Sequence, residues 1–101
     1  MLELRPNCER CDRDLPPDAD ARICSYECTF CAECAEQALA NVCPNCGGGF
    51  VPRPIRPRGE WREGTGLDHD PPGTRRRELR YTEAQIGELV QRLRAVAPPD
   101  R

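Results

Sequence analysis

Eight cysteines carry the chemistry open to this chain, in the order Cys8-x2-Cys11-x12-Cys24-x3-Cys28-x2-Cys31-x2-Cys34-x8-Cys43-x2-Cys46. A two-residue gap lets a tight turn aim both sulfurs at one ion, and tetrahedral zinc takes thiolates at about 2.3 Å. Four pairs supply two sites of four sulfurs, and the spacing admits two ways of sharing them. If pairs alternate, Cys8, Cys11, Cys31 and Cys34 form one site and Cys24, Cys28, Cys43 and Cys46 the other. If they follow in order, Cys8, Cys11, Cys24 and Cys28 group together, as do Cys31, Cys34, Cys43 and Cys46. Pro44 inside the last pair, with Gly47, Gly48 and Gly49 after it, suits a backbone bending closely around a metal. Disulfides are the competing use of these thiols. Residues 1–6 are charged and broken by Pro6, so no export signal is visible. A cytoplasmic location is expected, and reduced thiols there are metal ligands rather than disulfides, with Zn2+ (two ions per chain) as cofactor.

The elements that position these sulfurs must be small. With 101 residues, 38% of them hydrophobic, the chain has room for one domain that cannot be held by apolar burial alone. Leu2, Leu4, Ile23, Tyr26, Phe30, Leu39, Val42, Phe50 and Val51 are the candidate core, and 35–40 is a short helix candidate. Every one of the fifteen basic residues is Arg. Residues 1–49 hold nine acids and four Arg, whereas 50–81 hold eight Arg and five acids, so the charge changes sign where the cysteines end. Residues 59–81, rich in Pro, Gly and Arg, read as a flexible linker. Trp61 within it is expected to pack back on the cysteine domain. Residues 82–97 read as an amphipathic helix. Thr82 and Gln85 make a capping box, Tyr81 and Ile86 occupy the staple positions, and Ile86, Leu89, Val90, Leu93 and Val96 fall on one face before Pro98 and Pro99 stop it. A helix this short needs something to dock on, either its own domain, a second copy or a protein partner.

The alternating order resembles the cross-brace of the RING finger, including the aromatic Phe30 before Cys31 and the Cys43-Pro44-Asn45-Cys46 turn, with Cys28 standing where a RING usually has His. A stretch from Leu2 through Cys8-Glu-Arg-Cys11, then Ile23-Cys-Ser-Tyr-Glu-Cys-Thr-Phe-Cys31, Cys43-Pro-Asn-Cys-Gly-Gly48 and Arg53-Pro-Ile-Arg-Pro57, is similar to the bacterial domain of unknown function 1272 family. These resemblances imply a small metal-stabilised α+β fold: a RING-like, treble-clef-type zinc domain over 1–58 with two four-cysteine sites, then the linker and the helix. The family lends no activity.

Function follows from how the sulfurs are used. Two all-thiolate sites leave no open coordination position, so no enzyme is expected, and a structural zinc module serving protein–protein interaction is the leading reading. Ubiquitin transfer, implied by RING likeness, is opposed by Glu9-Arg10 where an apolar contact is needed and by Gly47 where a basic one is common. Nucleic-acid binding is the first alternative, through Arg75-Arg76-Arg77 with Arg80 and Tyr81. It is opposed by a head whose charge, counting two four-thiolate zinc sites, is about −9. Iron–sulfur electron transfer is the second alternative, since Cys28-x2-Cys31-x2-Cys34 resembles half a ferredoxin signature and Cys43-Pro-Asn-Cys-Gly47 a rubredoxin knuckle. A thiol redox role is the third. His69, between Asp68 and Asp70, reads as a solvated loop residue. The Asp12, Asp14, Asp18, Asp20 loop lacks EF-hand order and reads as solvated, with no calcium. No small-molecule substrate and no membrane partner are evident.

Overall fold

The computed structural model describes residues 1–101. Its regular elements are strands β1 (Ala21–Ile23), β2 (Thr29–Cys31) and β3 (Val51–Pro52), a π-helical turn at Cys34–Ala38, helix α1 (Glu83–Leu93) and a closing 3₁₀ turn at Pro98–Asp100. The sheet is antiparallel in the order β2-β1-β3, with Ala21 opposite Cys31, Ile23 opposite Thr29 and Val51, and Arg22 opposite Phe30 and Pro52. β1 sits in the middle, so Pro52, which has no N–H to give, falls on an edge where none is needed. The turn after β2 begins near residue 34 rather than 35 and is wider than an α-helix. Ala40 and Asn41, both with positive φ (46° and 63°), end it.

The core is thin. Phe30, Leu4, Leu39 and Val42 are its largest fully enclosed apolar side chains, and Phe30 meets Phe50 edge-on with ring centroids 5.3 Å apart. Six of the eight cysteines are buried among them. Two expected core residues face solvent instead. Tyr26 is 73% exposed because it sits in the loop between β1 and β2, and Val51 is exposed because β3 is a two-residue edge strand covered on neither side. Trp61, expected against the domain, is 81% exposed and lies over Gly59. What fills the interior in their place is polar: Asn7, Glu9, Thr29 and Arg53 are all buried. Thr29 N–H donates to Glu9 Oε2 at 2.6 Å, and Glu9 also accepts from Arg5 Nη1 at 2.8 Å. Arg53 has no carboxylate partner. It donates to the carbonyls of Arg5 (3.0 Å), Pro16 (3.0 Å) and Leu15 (3.5 Å), tying two other loop segments to its own.

Helix α1 packs on the cysteine module. Ile86 and Val90 are buried in the same apolar cluster as Phe30 and Leu39, with Leu89 and Leu93 at its margin. The face considered for a partner or a second copy is therefore covered by the chain itself, a gain of about 3–6 kcal/mol for two buried aliphatic side chains. Thr82 caps the helix as expected: its Oγ1 accepts from Gln85 N–H at 3.1 Å, and Gln85 Oε1 accepts from Thr82 N–H at 2.9 Å. The helix stops at Leu93, short of 97, because Pro98 holds Ala97 extended (φ −60°, ψ 140°). Arg101 ties the last turn down, donating to Val96 O (2.9 Å), Asn41 O (2.8 Å) and Gly47 O (2.9 Å). Residues 59–81 carry no strand or helix, and of these 73–79 lie along the module through contacts described below. No helix is long and apolar enough to cross a membrane.

Candidate metal centre

Two turns of the same construction present the first and last cysteine pairs. In residues 8–13, Asp12 N–H donates to Cys8 O (2.9 Å) and Cys8 N–H to Arg13 O (2.8 Å). In residues 43–48, Gly47 N–H donates to Cys43 O (2.7 Å) and Cys43 N–H to Gly48 O (2.8 Å). Both turns need a left-handed residue directly after the second Cys, and Asp12 (φ 65°) and Gly47 (φ 78°) supply it. Gly47 has a second reason to lack a side chain: a Cβ there would stand 3.0 Å from Leu93 Cδ1, where α1 passes. The middle pairs are placed differently. Cys24 and Cys28 close the β1–β2 loop, with Cys24 N–H donating to Cys28 O (3.2 Å) and Glu27 (φ 65°) taking the left-handed step. Cys31 ends β2, and Cys34 opens the π-helical turn.

The strand β2 keeps two sulfurs that are close in sequence apart. Cys28 and Cys31 have only two residues between them, but those residues are extended, and three strand steps carry the chain about 10 Å. Cys28 therefore belongs to one end of the sheet and Cys31 to the other. The sulfurs of Cys8, Cys11, Cys31 and Cys34 all lie within 4.8 Å of one another, and so do those of Cys24, Cys28 and Cys43. The groups draw on alternate pairs, not consecutive ones. Cys46 stands outside the second group's 4.8 Å circle, exposed, with its Sγ accepting from Gly48 N–H at 3.4 Å.

The donor sets fit a soft divalent ion. Thiolates at about 2.3 Å around a tetrahedral centre stand about 3.8 Å apart, and Cys11 Sγ and Cys31 Sγ are 3.9 Å apart. Backbone N–H groups already point at the sulfurs as they do around bound metals: Cys11 N–H to Cys8 Sγ (3.5 Å), Cys34 N–H to Cys31 Sγ (3.4 Å) and Tyr26 N–H to Cys24 Sγ (3.3 Å). Arg10 adds a cation beside the first group, its Nη1 3.5 Å from Cys34 Sγ while Nη2 reaches Glu83 at the start of α1 (3.4 Å).

Crowded thiols divide their protons unequally. The Cys28 and Cys43 side chains beside it hold Cys24 down at about 3, and the side chains of Cys24 and then Cys28, with burial, push Cys43 up. Burial pushes Cys34 up to about 12 and raises Cys8. At Cys11 burial works upward, but the Arg13 backbone N–H and the Cys8, Cys34 and Cys31 side chains outweigh it and the thiol falls below its ordinary value. Each group thus joins thiols that ionise easily to thiols that resist. A dication between them removes the conflict by favouring thiolate at every position.

The remaining candidates lie elsewhere. His69 Nε2 pairs with Glu60 Oε2 at 2.8 Å and belongs to neither sulfur group. Asp12 and Asp14 accept from Arg76, and Asp20 accepts from Arg22, so three of the four acids of the acid-rich loop have an arginine partner. Of the basic run 75–77, Arg76 and Arg77 are both paired, the latter with Glu3 (3.0 Å). The buried Asn7, Glu9 and Arg53 had no periodic pattern to reveal them. Their one sequence signal is position: Asn7 and Glu9 flank Cys8, and Arg53 precedes Pro54.

No solved structure matches the chain. An uncharacterized protein of Rhizobium meliloti (strain 1021), R02474, is 71% identical over 58 residues, 56% of this chain and 69% of its own length. Residues 1–56, which contain both sulfur groups and the whole sheet, match the family described as "Protein of unknown function (DUF1272)", and the chain belongs to that family.

Proposed function

We infer that this protein is a zinc-stabilised, RING-like cross-brace module that presents a surface to other proteins and performs no catalysis of its own. The observation that carries this reading is the assembly of two sulfur groups from alternate cysteine pairs, at a spacing suited to tetrahedral thiolate coordination. Zinc, held by Cys8, Cys11, Cys31 and Cys34 in one site and by Cys24, Cys28, Cys43 and Cys46 in the other, supplies the folding free energy that the thin core lacks. On this reading Cys46, which stands outside the other three sulfurs, completes its site by turning its Sγ toward them when the ion binds. Four thiolates close each ion to water, which supports a structural rather than a chemical role. Iron has less support, because Cys28-x2-Cys31 is a strand and not the turn that wraps a cluster. Nucleic-acid binding also has less support, since Arg76 and Arg77 are occupied by Asp12, Asp14 and Glu3.

Elemental analysis of the purified protein tests the metal. The expected result is about two zinc per chain in a colourless sample, falling to about one in Cys28→Ser and in Cys31→Ser. A brown protein with iron in place of zinc would overturn the reading.

A further inference from the structure

Residues 73–79 run along the cysteine module as an extended strap. Gly73 N–H donates to Leu4 O (2.9 Å) and Leu79 N–H to Glu9 O (3.0 Å). Between them the buried Asn7 side chain reads the strap's backbone as a neighbouring strand would: Oδ1 accepts from Arg77 N–H at 3.1 Å and Nδ2 donates to Arg77 O at 2.7 Å. The side chains are read as well. The Arg76 guanidinium donates to Asp12 Oδ1 (2.9 and 3.1 Å), Asp12 O (2.6 Å) and Asp14 Oδ1 (2.6 Å), while Arg77 Nη2 donates to Glu3 Oε1 (3.0 Å). The module thus offers a groove with a backbone reader at its centre and three carboxylates on its rim.

Two observations set this strap apart from an ordinary stretch of fold. No residue from 71 to 81 is fully buried: the strap is held by hydrogen bonds, by ion pairs that are exposed at Arg76 and half-buried at Arg77, and by Leu79 alone at the margin of the core, and the exposed pairs are weak in water and screened by salt. Segments held this way open locally without global unfolding. In addition, every groove residue lies within the family-matched residues 1–56, whereas the strap lies outside them.

We propose that this groove is a docking site for an extended, arginine-bearing segment of a partner protein, and that residues 73–79 occupy it in cis as a displaceable stand-in. The proposal rests on the protein-interaction role inferred above and names the partner's chemistry: two consecutive arginines on an extended backbone. The first is read by Asp12 and Asp14, and the second by Glu3, with its peptide group on Asn7. Because the strap is tethered, it competes at high effective concentration and sets an affinity threshold that a partner must exceed.

The test uses the full chain and a fluorescent peptide of the 73–79 sequence, Gly-Thr-Arg-Arg-Arg-Glu-Leu, followed by anisotropy. In the Arg76→Ala/Arg77→Ala chain the strap is released, and the peptide is expected to bind at least about tenfold tighter than to the unaltered chain. Adding Asp12→Asn/Asp14→Asn is expected to abolish that binding. Equal affinities for the two chains, or binding indifferent to Asp12 and Asp14, would overturn the proposal. Metal content of the same samples keeps the two readings apart: a chain that holds its ions and binds no peptide removes the groove and leaves the zinc module standing. If the released-strap variant does not fold, hydrogen exchange on the unaltered chain decides. The Arg77 and Leu79 amides are expected to exchange faster as salt is added, while those of Cys8 and Cys43 do not change. Strap amides that exchange only together with Cys8 and Cys43 would overturn it.

Discussion

The eight cysteines are not equivalent as residues. Cys43 is buried between Cys24 and Cys28, whereas Cys46, the other member of its pair, is exposed and stands apart. Cys43→Ser is therefore expected to cost the second ion outright. On the zinc reading, Cys46→Ser leaves three sulfurs in place and is expected to weaken that ion without removing it, and native mass spectrometry of the two variants reads the difference. Arg53 is a second residue whose weight is concealed by its type. Burial lowers its pKa, yet it stays charged and spans three carbonyls with its guanidinium. Arg53→Ala leaves those acceptors and a cavity behind, and about 2–4 kcal/mol of stability should be lost in chemical denaturation of the metal-loaded protein. The cysteine spacing made the sulfur groups legible at this scale as one of two possible sharings, though not that Cys46 would stand apart. Arg53, Asn7 and Glu9 were not, because a buried polar residue follows no hydrophobic period and is fixed only by loops that meet it in three dimensions.

Among the elements, helix α1 was the most legible, since its cap and its apolar face are both local patterns. Its partner was not, because nothing in the helix states which surface Ile86 and Val90 will meet. They meet the module's own core, so Ile86→Ala should destabilise the folded chain by about 2–4 kcal/mol. The signature of docking is that α1 amides lose hydrogen-exchange protection well before those of β1 and β2. Equal loss in all three would mean that the helix and sheet form one cooperative unit. The sheet was barely legible, as strands of two or three residues are too short to display alternation. The strand β2 matters despite its length, for it carries Cys31 away from Cys28, and the sulfurs group by alternate pairs because Cys31 and Cys34 lie with Cys8 and Cys11 while Cys43 lies with Cys24 and Cys28.

At the scale of the whole molecule, stability should be a function of metal and pH. The radius of gyration, 14.5 Å, exceeds the roughly 13 Å of a compact chain this long, in keeping with a body 46 Å in its longest dimension and a core too thin to hold alone. The proton balance gives the direction. Cys24, held at about 3, contributes stability that is complete above the ordinary thiol pKa and is lost as pH falls toward 3. Cys34, pushed up to about 12, acts in the opposite sense as a free thiol, stabilising below the ordinary value and losing that contribution as pH rises toward 12. A bound dication reverses this second contribution by holding Cys34 as thiolate, so the loaded protein should resist alkali and yield to acid. Metal release to a chromogenic chelator should be faster at pH 5 than at pH 8, with loss of the sheet's circular dichroism following it. Release that is independent of pH would count against thiolate ligation.

The alternation of the cysteine pairs also orders events during synthesis. The first sulfur group is complete once Cys34 has left the ribosome, while Cys24 and Cys28 must wait for Cys43, which follows nine residues later. On the zinc reading, a nascent chain therefore passes through a stage with one site closed and the thiols of Cys24 and Cys28 still unsatisfied. That interval is when it is most exposed to the wrong metal or to an oxidant.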